Sequence, residues 1–463
     1  MDNPSLHEIL AAKEARANLQ AALAEKHRGA GGGGGAIVSY TLNIAGPRKR
    51  SPLADRSFHA GVKLAEVLFR RLGYTLAECV KTDAPTGLEC LWVVHGDAAL
   101  AVADAGRLKT ELCRLEDEHP LGRLFDMDVI GQDGQKLSRG GTRPCLICDR
   151  PGHDCARNRT HPAEEVAART HQIMEEYFAA KDARFIADCA TRALLYELAA
   201  TPKPGLVDRA NNGSHADMGF FTFVDSAAAL VPYFAKMAKT GAALRGRPPG
   251  EMLAGLRPLG IAAEEAMYAA TGGANTHKGA IFSLGIVCAA AGRLGCPLPP
   301  YRQTLALAGQ IAAPALRDNL ADKTNGERVY RQYGLAGIRG EAAGGFASVS
   351  DVALPALHAA LERGATIEEA GIEALLRLIA TAQDTNMITR CGGEQAAAAI
   401  RQELAAFLES RPSGAQIIAH AEKLDESFIK SNISPGGCAD LLALTYFMHL
   451  LGKDWEESYE FFC

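Results

Sequence analysis

The chain has 463 residues, 48% of them hydrophobic and 22% charged, with a formal net charge of -5. That length exceeds what one core usually supports, so two domains are expected, each with apolar material for a sizeable core. Net negative charge without a long basic tail argues against non-specific nucleic-acid binding, which runs on phosphate neutralisation, so any bound phosphate must be met locally.

At the start, MDNPSLHEILAAKEARANLQ carries charge throughout and lacks the apolar core of a signal peptide. Gly, Arg or Asp interrupts every later apolar stretch, so no membrane span is expected, and twelve scattered cysteines suit a reducing compartment, which together point to the cytoplasm. Leu6, Ile9, Leu10, Leu19 and Leu23 recur at near-helical spacing and predict a helix over 5–27. The glycine run at 31–35 cannot hold a helix and reads as a flexible connector, so 1–35 is a leading segment.

Next, AIVSYTLNI (36–44), LECLWVVH (88–95) and RLFDMDVI (123–130) are rich in β-branched and aromatic residues and read as strands, while 57–72 and 97–118 read as helices. A mixed α/β domain over 36–163 follows. The QDGQ turn closed by Gly134 predicts a hairpin into KLSR. Over 164–463 the texture becomes long Ala- and Leu-rich helical segments, which predicts a nearly all-α second domain.

Three groups of side chains in the first half carry chemistry. Asp126 and Asp128 lie two apart on a strand, so both carboxylates leave the same face and suit Mg²⁺ on a polyphosphate, or else form a solvated strand face. Arg48, Lys49 and Arg50 follow another strand, where three cations either face solvent or grip a triphosphate. Cys145, Cys148, Cys155 and His161 offer a compressed set of structural zinc ligands, with His153 as a substitute; reduced thiols without metal are the alternative.

In the helical half, four breaks mix Gly, Asn, Thr, His and charge: TPKPGLVDRANNGSHADM (201–218), TGGANTHKGAIFSLG (271–285), DNLADKTNGERVY (318–330) and DTNMITRCGGEQ (384–395). Each lies where a helix begins, and free N–H groups with the helix dipole favour anions there. Capping accounts for the Asn, Ser, Thr and Asp residues but not for Lys203, His215, His277, Lys278, Glu327 and Arg390 beside them. The residues by themselves give a helical enzyme acting on something polyanionic.

Through GPRKRSP, LGRLFDMDVIG and CLICDRPGHDCARNRTH, residues 36–161 resemble the apo-citrate lyase phosphoribosyl-dephospho-coenzyme A transferase family. Through PKPGLVDRANNGSHADMGFF, GGANTHKGAIFSLG, TNGERVYRQYG, RGEAAGGF, DTNMITRCGGEQ and NISPGGCADLLA, residues 183–447 resemble triphosphoribosyl-dephospho-coenzyme A synthase. The resemblance implies a fused bifunctional transferase. Its helical domain would join ATP to 3′-dephospho-coenzyme A with loss of adenine. Its first domain, nucleotidyltransferase-like but without the Gly-Ser loop typical of that fold, would pass the phosphoribosyl-dephospho-coenzyme A group to a serine of the citrate lyase acyl carrier (gamma) subunit, releasing diphosphate.

Under that chemistry Asp208, Asp217 or Glu327 would steady the developing charge at the sugar carbon, and His215 or His277 would ease adenine departure. Lys203, Lys278 and Arg390, with Mg²⁺ on Asp384, would meet the triphosphate, and Asn275, Asn325 and Asn386 would complete the nucleotide site. Asp126 and Asp128 would hold the metal for displacement at phosphorus, helped by Arg48 and Lys49. Two rival readings stand beside this one: a Mg²⁺-dependent hydrolase of ADP-ribose-like N-glycosides, and a non-catalytic, zinc-stabilised assembly factor.

Overall fold

The computed structural model describes residues 4–27, 35–46, 48–96, 103–131, 133–295, 298–317, 330–332 and 334–460. They form two compact units, one reaching Phe178 and the other running from Ala179 to Ser458. The division falls inside α5 (Ala163–Ala199), whereas the change in composition suggested 163/164. Composition marks where the helix begins; the units divide where its packing partners change.

In the first unit, α1 (Leu6–Lys26) starts at a capping box in which Ser5 and Glu8 bond reciprocally. Its Leu19 and Leu23 pack with Ile37, Leu91 and Val93, so α1 covers one face of a sheet. The connector expected at 31–35 lies outside the described residues except for Gly35, which opens β1 (Gly35–Leu42). After α2 (Pro52–Arg71) come β2 (Thr75–Ala84), β3 (Gly87–His95), α3 (Ala103–Glu118) and β4 (Phe125–Ile130). The strands form an antiparallel sheet in the order β2-β3-β1-β4.

Alternation assigns the faces: Val38, Tyr40, Trp92, Phe125 and Met127 enter a core with Phe58 and Phe69 of α2 and Leu108 and Leu112 of α3. The sequence reading passed over β2, because TLAECVKTDA is largely exposed and lacks an apolar face. The turn expected after β4 brings KLSR back against it over a short stretch: Gly131 N–H reaches Gln135 O at 2.9 Å, Leu137 N–H reaches Val129 O at 2.8 Å, and an antiparallel bridge joins Ile130 to Lys136. KLSR does not extend into a full strand of the sheet. Next comes the short α4 (Gly152–Arg157).

The second unit is helical among its described residues: α6 (Phe220–Ala243), α7 (Met252–Ala270), α8 (Lys278–Leu294), α9 (Tyr301–Ala312), α10 (Gly337–Ala343), α11 (Leu354–Glu362), α12 (Ile367–Thr381), α13 (Thr385–Arg390), α14 (Glu394–Glu409), α15 (Gly414–Lys430) and α16 (Gly436–Glu460). At its centre α6 and α8 meet backbone to backbone: a Cβ on Gly241 would lie 2.0 Å from Ala289 O, and one on Gly292 2.0 Å from Ala238 O. That contact joins the last turns of the two helices, while Ser226 of α6 bonds Thr276 and His277 at the start of α8. Among the described residues no helix is long and apolar enough to cross a membrane.

Candidate functional sites

On β4, Asp126 and Asp128 pair in register with Thr41 and Ser39 of β1, on the face opposite the buried Phe125 and Met127. Asp128 meets the ammonium of Lys136 and, at 3.7 Å, that of Lys109, which also donates to Met127 O at 2.9 Å. Glu116, only 3% exposed, accepts the Met127 N–H at 2.8 Å and ion-pairs with Arg139 and Arg143. Burial pushes its carboxyl up, opposed by those cations. These groups line a cavity of about 340 Å³ beside the two aspartates.

A second cavity, of about 320 Å³, shares Asp126 with the first and brings in Lys13 and Arg16 of α1 with Lys49. Burial, then the charge of Lys13, holds the Lys49 ammonium below its usual range. The three predicted cations thus separate. Lys49 faces the cavity, Arg48 is exposed and outside its lining, and Arg50 is held by Asp55 and Asp83. Lys13, Arg16, Lys109, Lys136, Arg139 and Arg143 were missed because they lie on scattered elements with no shared motif.

Cys145, Cys148, Cys155 and His161 converge, with one ligand atom from each lying within 4.8 Å of the others. Cys148 Sγ is 3.6 Å from Cys155 Sγ and 3.3 Å from His161 Nε2. A zinc tetrahedron with Zn–S bonds of ~2.3 Å has S–S edges of roughly 3.8 Å, so the spacing suits that ion. The Ile147 N–H points at Cys145 Sγ at 3.5 Å, orienting the thiol. His153, the substitute ligand, stands apart, exposed beside Asp154.

In the helical unit two cavities adjoin. One, of about 320 Å³, is lined by Lys203, His215, Asp217, His277 and Arg390 among others, and the second, of about 600 Å³, includes Asp384. Asn275, Lys278 and Asn386 line both. Asn325 and Glu327 lie outside the described residues.

Three predicted residues are engaged differently from expectation. Asp208, 2% exposed, accepts N–H bonds from Lys203, Ala210 and Asn211, so it ties the loop after α5 and does not line the cavity. Asp384 accepts from Asn386 and Met387 at 2.8 and 3.0 Å through one oxygen and from Cys438 at 2.8 Å through the other, stapling the starts of α13 and α16. Lys203 is buried against Glu197, whose carboxyl burial raises while the lysine opposes the shift. Lys278 pairs with Glu264 at 2.7 Å, and Arg390 donates to Ser214 O at 2.9 Å.

The histidines differ. His215 Nε2 lies 2.9 Å from Ser434 Oγ, and burial followed by the charge of Arg390 lowers its pKa. His277, 3% exposed, is pushed down to about 3 by burial and then by Lys203, so it is neutral. Thr276 donates to Ser226 Oγ at 2.7 Å, which leaves the Ser226 hydroxyl to donate to His277 Nδ1, also at 2.7 Å. The network assigns the ring proton to Nε2, which is buried and meets no acceptor among the described residues.

Sequence reasoning also missed Glu197 and Asp440, which line the first cavity; Asp440 lies within NISPGGCADLLA, a string quoted for its order rather than for its acid.

Comparisons with known proteins divide the chain in the same way. Residues 4–177 match the family model of CitX, apo-citrate lyase phosphoribosyl-dephospho-CoA transferase, and residues 183–459 match that of CitG, ATP:dephospho-CoA triphosphoribosyl transferase. Protein CitXG of Haemophilus influenzae is 34% identical over 466 residues, covering 96% of this chain and 95% of that one. Protein CitXG of Leuconostoc mesenteroides subsp. cremoris is 32% identical over 89% of this chain and 91% of its own. A probable 2-(5''-triphosphoribosyl)-3'-dephosphocoenzyme-A synthase of Vibrio cholerae is 42% identical over 58% of this chain and 88% of its own.

Proposed function

We propose a two-step function from one premise: the chain belongs to the CitXG family, in which a CitX-type unit and a CitG-type unit share one polypeptide. It is a bifunctional transferase of citrate lyase prosthetic-group biosynthesis. The helical unit joins ATP to 3′-dephospho-coenzyme A: a ribose hydroxyl of the coenzyme displaces adenine from C1 of the ATP ribose and the triphosphate is kept. The first unit transfers phosphoribosyl-dephospho-coenzyme A to a serine of the citrate lyase acyl carrier, with diphosphate leaving.

The observation that carries the reading is the meeting of three separate helix breaks on adjoining cavities large enough for two nucleotides, with Asn275, Lys278 and Asn386 common to both. In this reading Lys278 and Arg390 meet the triphosphate with the Mg²⁺ that accompanies ATP. The neutral His277 donates from Nε2, and Asp217 lies at the cavity edge.

In the first unit the sheet with two acidic residues on one strand supports a nucleotidyltransferase-like site. Asp126 and Asp128 would hold Mg²⁺, which would supply neutralisation of the diphosphate charge, and the cations of the two cavities that share Asp126 would receive the leaving group. Cys145, Cys148, Cys155 and His161 hold a structural zinc, a reading supported by their convergence. The working compartment is the cytoplasm, which suits free cysteines.

Incubation with ATP, Mg²⁺ and dephospho-coenzyme A, with adenine followed by chromatography, tests the function. Adenine release that depends on the coenzyme is expected. Release without it indicates a hydrolase and no release a scaffold, and either result overturns the reading.

A further inference from the structure

We propose that Asp440 is the proton-carrying catalytic residue of the helical unit, placed at the seam of two chambers that each take one nucleotide substrate. The proposal rests on the function given above and deepens it to one side chain and two subsites.

The two cavities are unlike. The smaller gathers Lys203, His215, His277 and Arg390, a polar and cationic wall suited to a polyphosphate. The larger adds Phe282, Leu316, Ile338 and Leu441 to Arg339, an apolar wall that suits the longer, partly apolar coenzyme. A bond between the two substrates forms only where both reach. The side chains lining both cavities are few, and Asp440 is the one carboxylate among them in the described residues.

A plain alternative is that Asp440 caps α8, since the Ala280 N–H is directed at it. A capping carboxylate at a helix start is stabilised in its charged form. At Asp440 that effect of the Ala280 N–H is outweighed: loss of water, followed by the charges of Glu197 and Asp384, raises its pKa well above the usual carboxylate range. An independent observation points to a ligand here, because His277 lines the smaller chamber and its buried Nε2 has no partner among the described residues.

Gly279 keeps the carboxyl at the seam. A Cβ there would lie 1.9 Å from Asp440 Oδ2, so any other residue would push the acid away.

The step balances as follows. The C1–N bond to adenine breaks as Asp440 gives its proton to the departing nitrogen. The incoming ribose hydroxyl forms the C1–O bond, and its proton returns to the Asp440 carboxylate. No proton is gained or lost overall, and nothing is oxidised.

The test compares full-length D440N with wild type in coenzyme-dependent adenine release across pH. The expected kcat is lower by about 10²- to 10⁴-fold, with KM for ATP changed by less than about threefold. Wild-type kcat falls as pH rises and Asp440 loses its proton, and the residual rate of D440N lacks that limb. A D440N kcat within about tenfold of wild type, or a residual rate that keeps the limb, overturns the proposal. If D440N does not fold, G279A decides: a loss of about tenfold or more supports the proposal and a smaller loss overturns it. Wild type that releases no adenine, or releases it without the coenzyme, overturns the underlying function instead.

Discussion

Asp126 stands exposed on an edge strand of the first unit, and Asp128 beside it is met by two lysines, while in the helical unit Lys203 against Glu197 and His277 behind Phe223 are buried, and Asp440 is half-buried near Asp384. Water-accessible carboxylates suit a hydrated cation that arrives with its substrate. Desolvated groups change proton affinity, as Asp440 and His277 do in opposite directions. Each environment suits its reaction. Displacement at phosphorus needs charge neutralised, whereas displacement at a sugar carbon needs a proton moved to a poor leaving group.

The sharpest way to break this contrast is Asp128→Ala in the full chain. Carrier loading should fall by about 10³-fold while adenine release stays within about twofold, and loss of both would show that the units do not act separately. His277→Ala is the mirror experiment. Adenine release should fall by roughly 10²-fold, and carrier loading from preformed triphosphoribosyl-dephospho-coenzyme A should be unchanged.

Zinc removal comes next in size. Metal analysis should give one zinc per chain, and Cys148→Ser should lose it along with carrier loading while the helical unit keeps its adenine release; substoichiometric zinc in the wild type would end the assignment. Gly292→Ala should destabilise the helical unit by about 1–3 kcal/mol in denaturant melts, because the added Cβ meets Ala238 O, a backbone atom.

A further effect concerns pH and stability. His277 has a folded pKa of about 3 against 6.5 in its ordinary state, so the unfolded chain binds its proton first as pH falls. Its contribution is therefore full above about pH 6.5 and lost progressively towards pH 3. His277→Gln should flatten the acid side of the melting profile between those limits.

Much of this was legible because local chemistry writes itself into local sequence. Period-2 runs announced β1, β3 and β4, and glycine- and asparagine-rich breaks announced where α8 and α13 begin. Residues around β2 escaped because an edge strand with no apolar face carries no periodic signal. Asp208 was read as a candidate reacting carboxylate and Asp384 as a Mg²⁺ ligand, while the oxygens of both accept backbone N–H groups, since an aspartate in a loop looks the same whether it faces a substrate or ties the loop.

By itself the sequence determined the mixed and helical halves, the breaks between helices, the paired aspartates and the cysteine set, all properties of neighbours along the chain. Only the tertiary structure decided that α1 brings Lys13 and Arg16 to Asp126, that His277 loses contact with water, and that Asp440 reaches the start of α8. Those facts depend on which distant segments exclude solvent together, and desolvation is a property of the packed volume rather than of any stretch of residues.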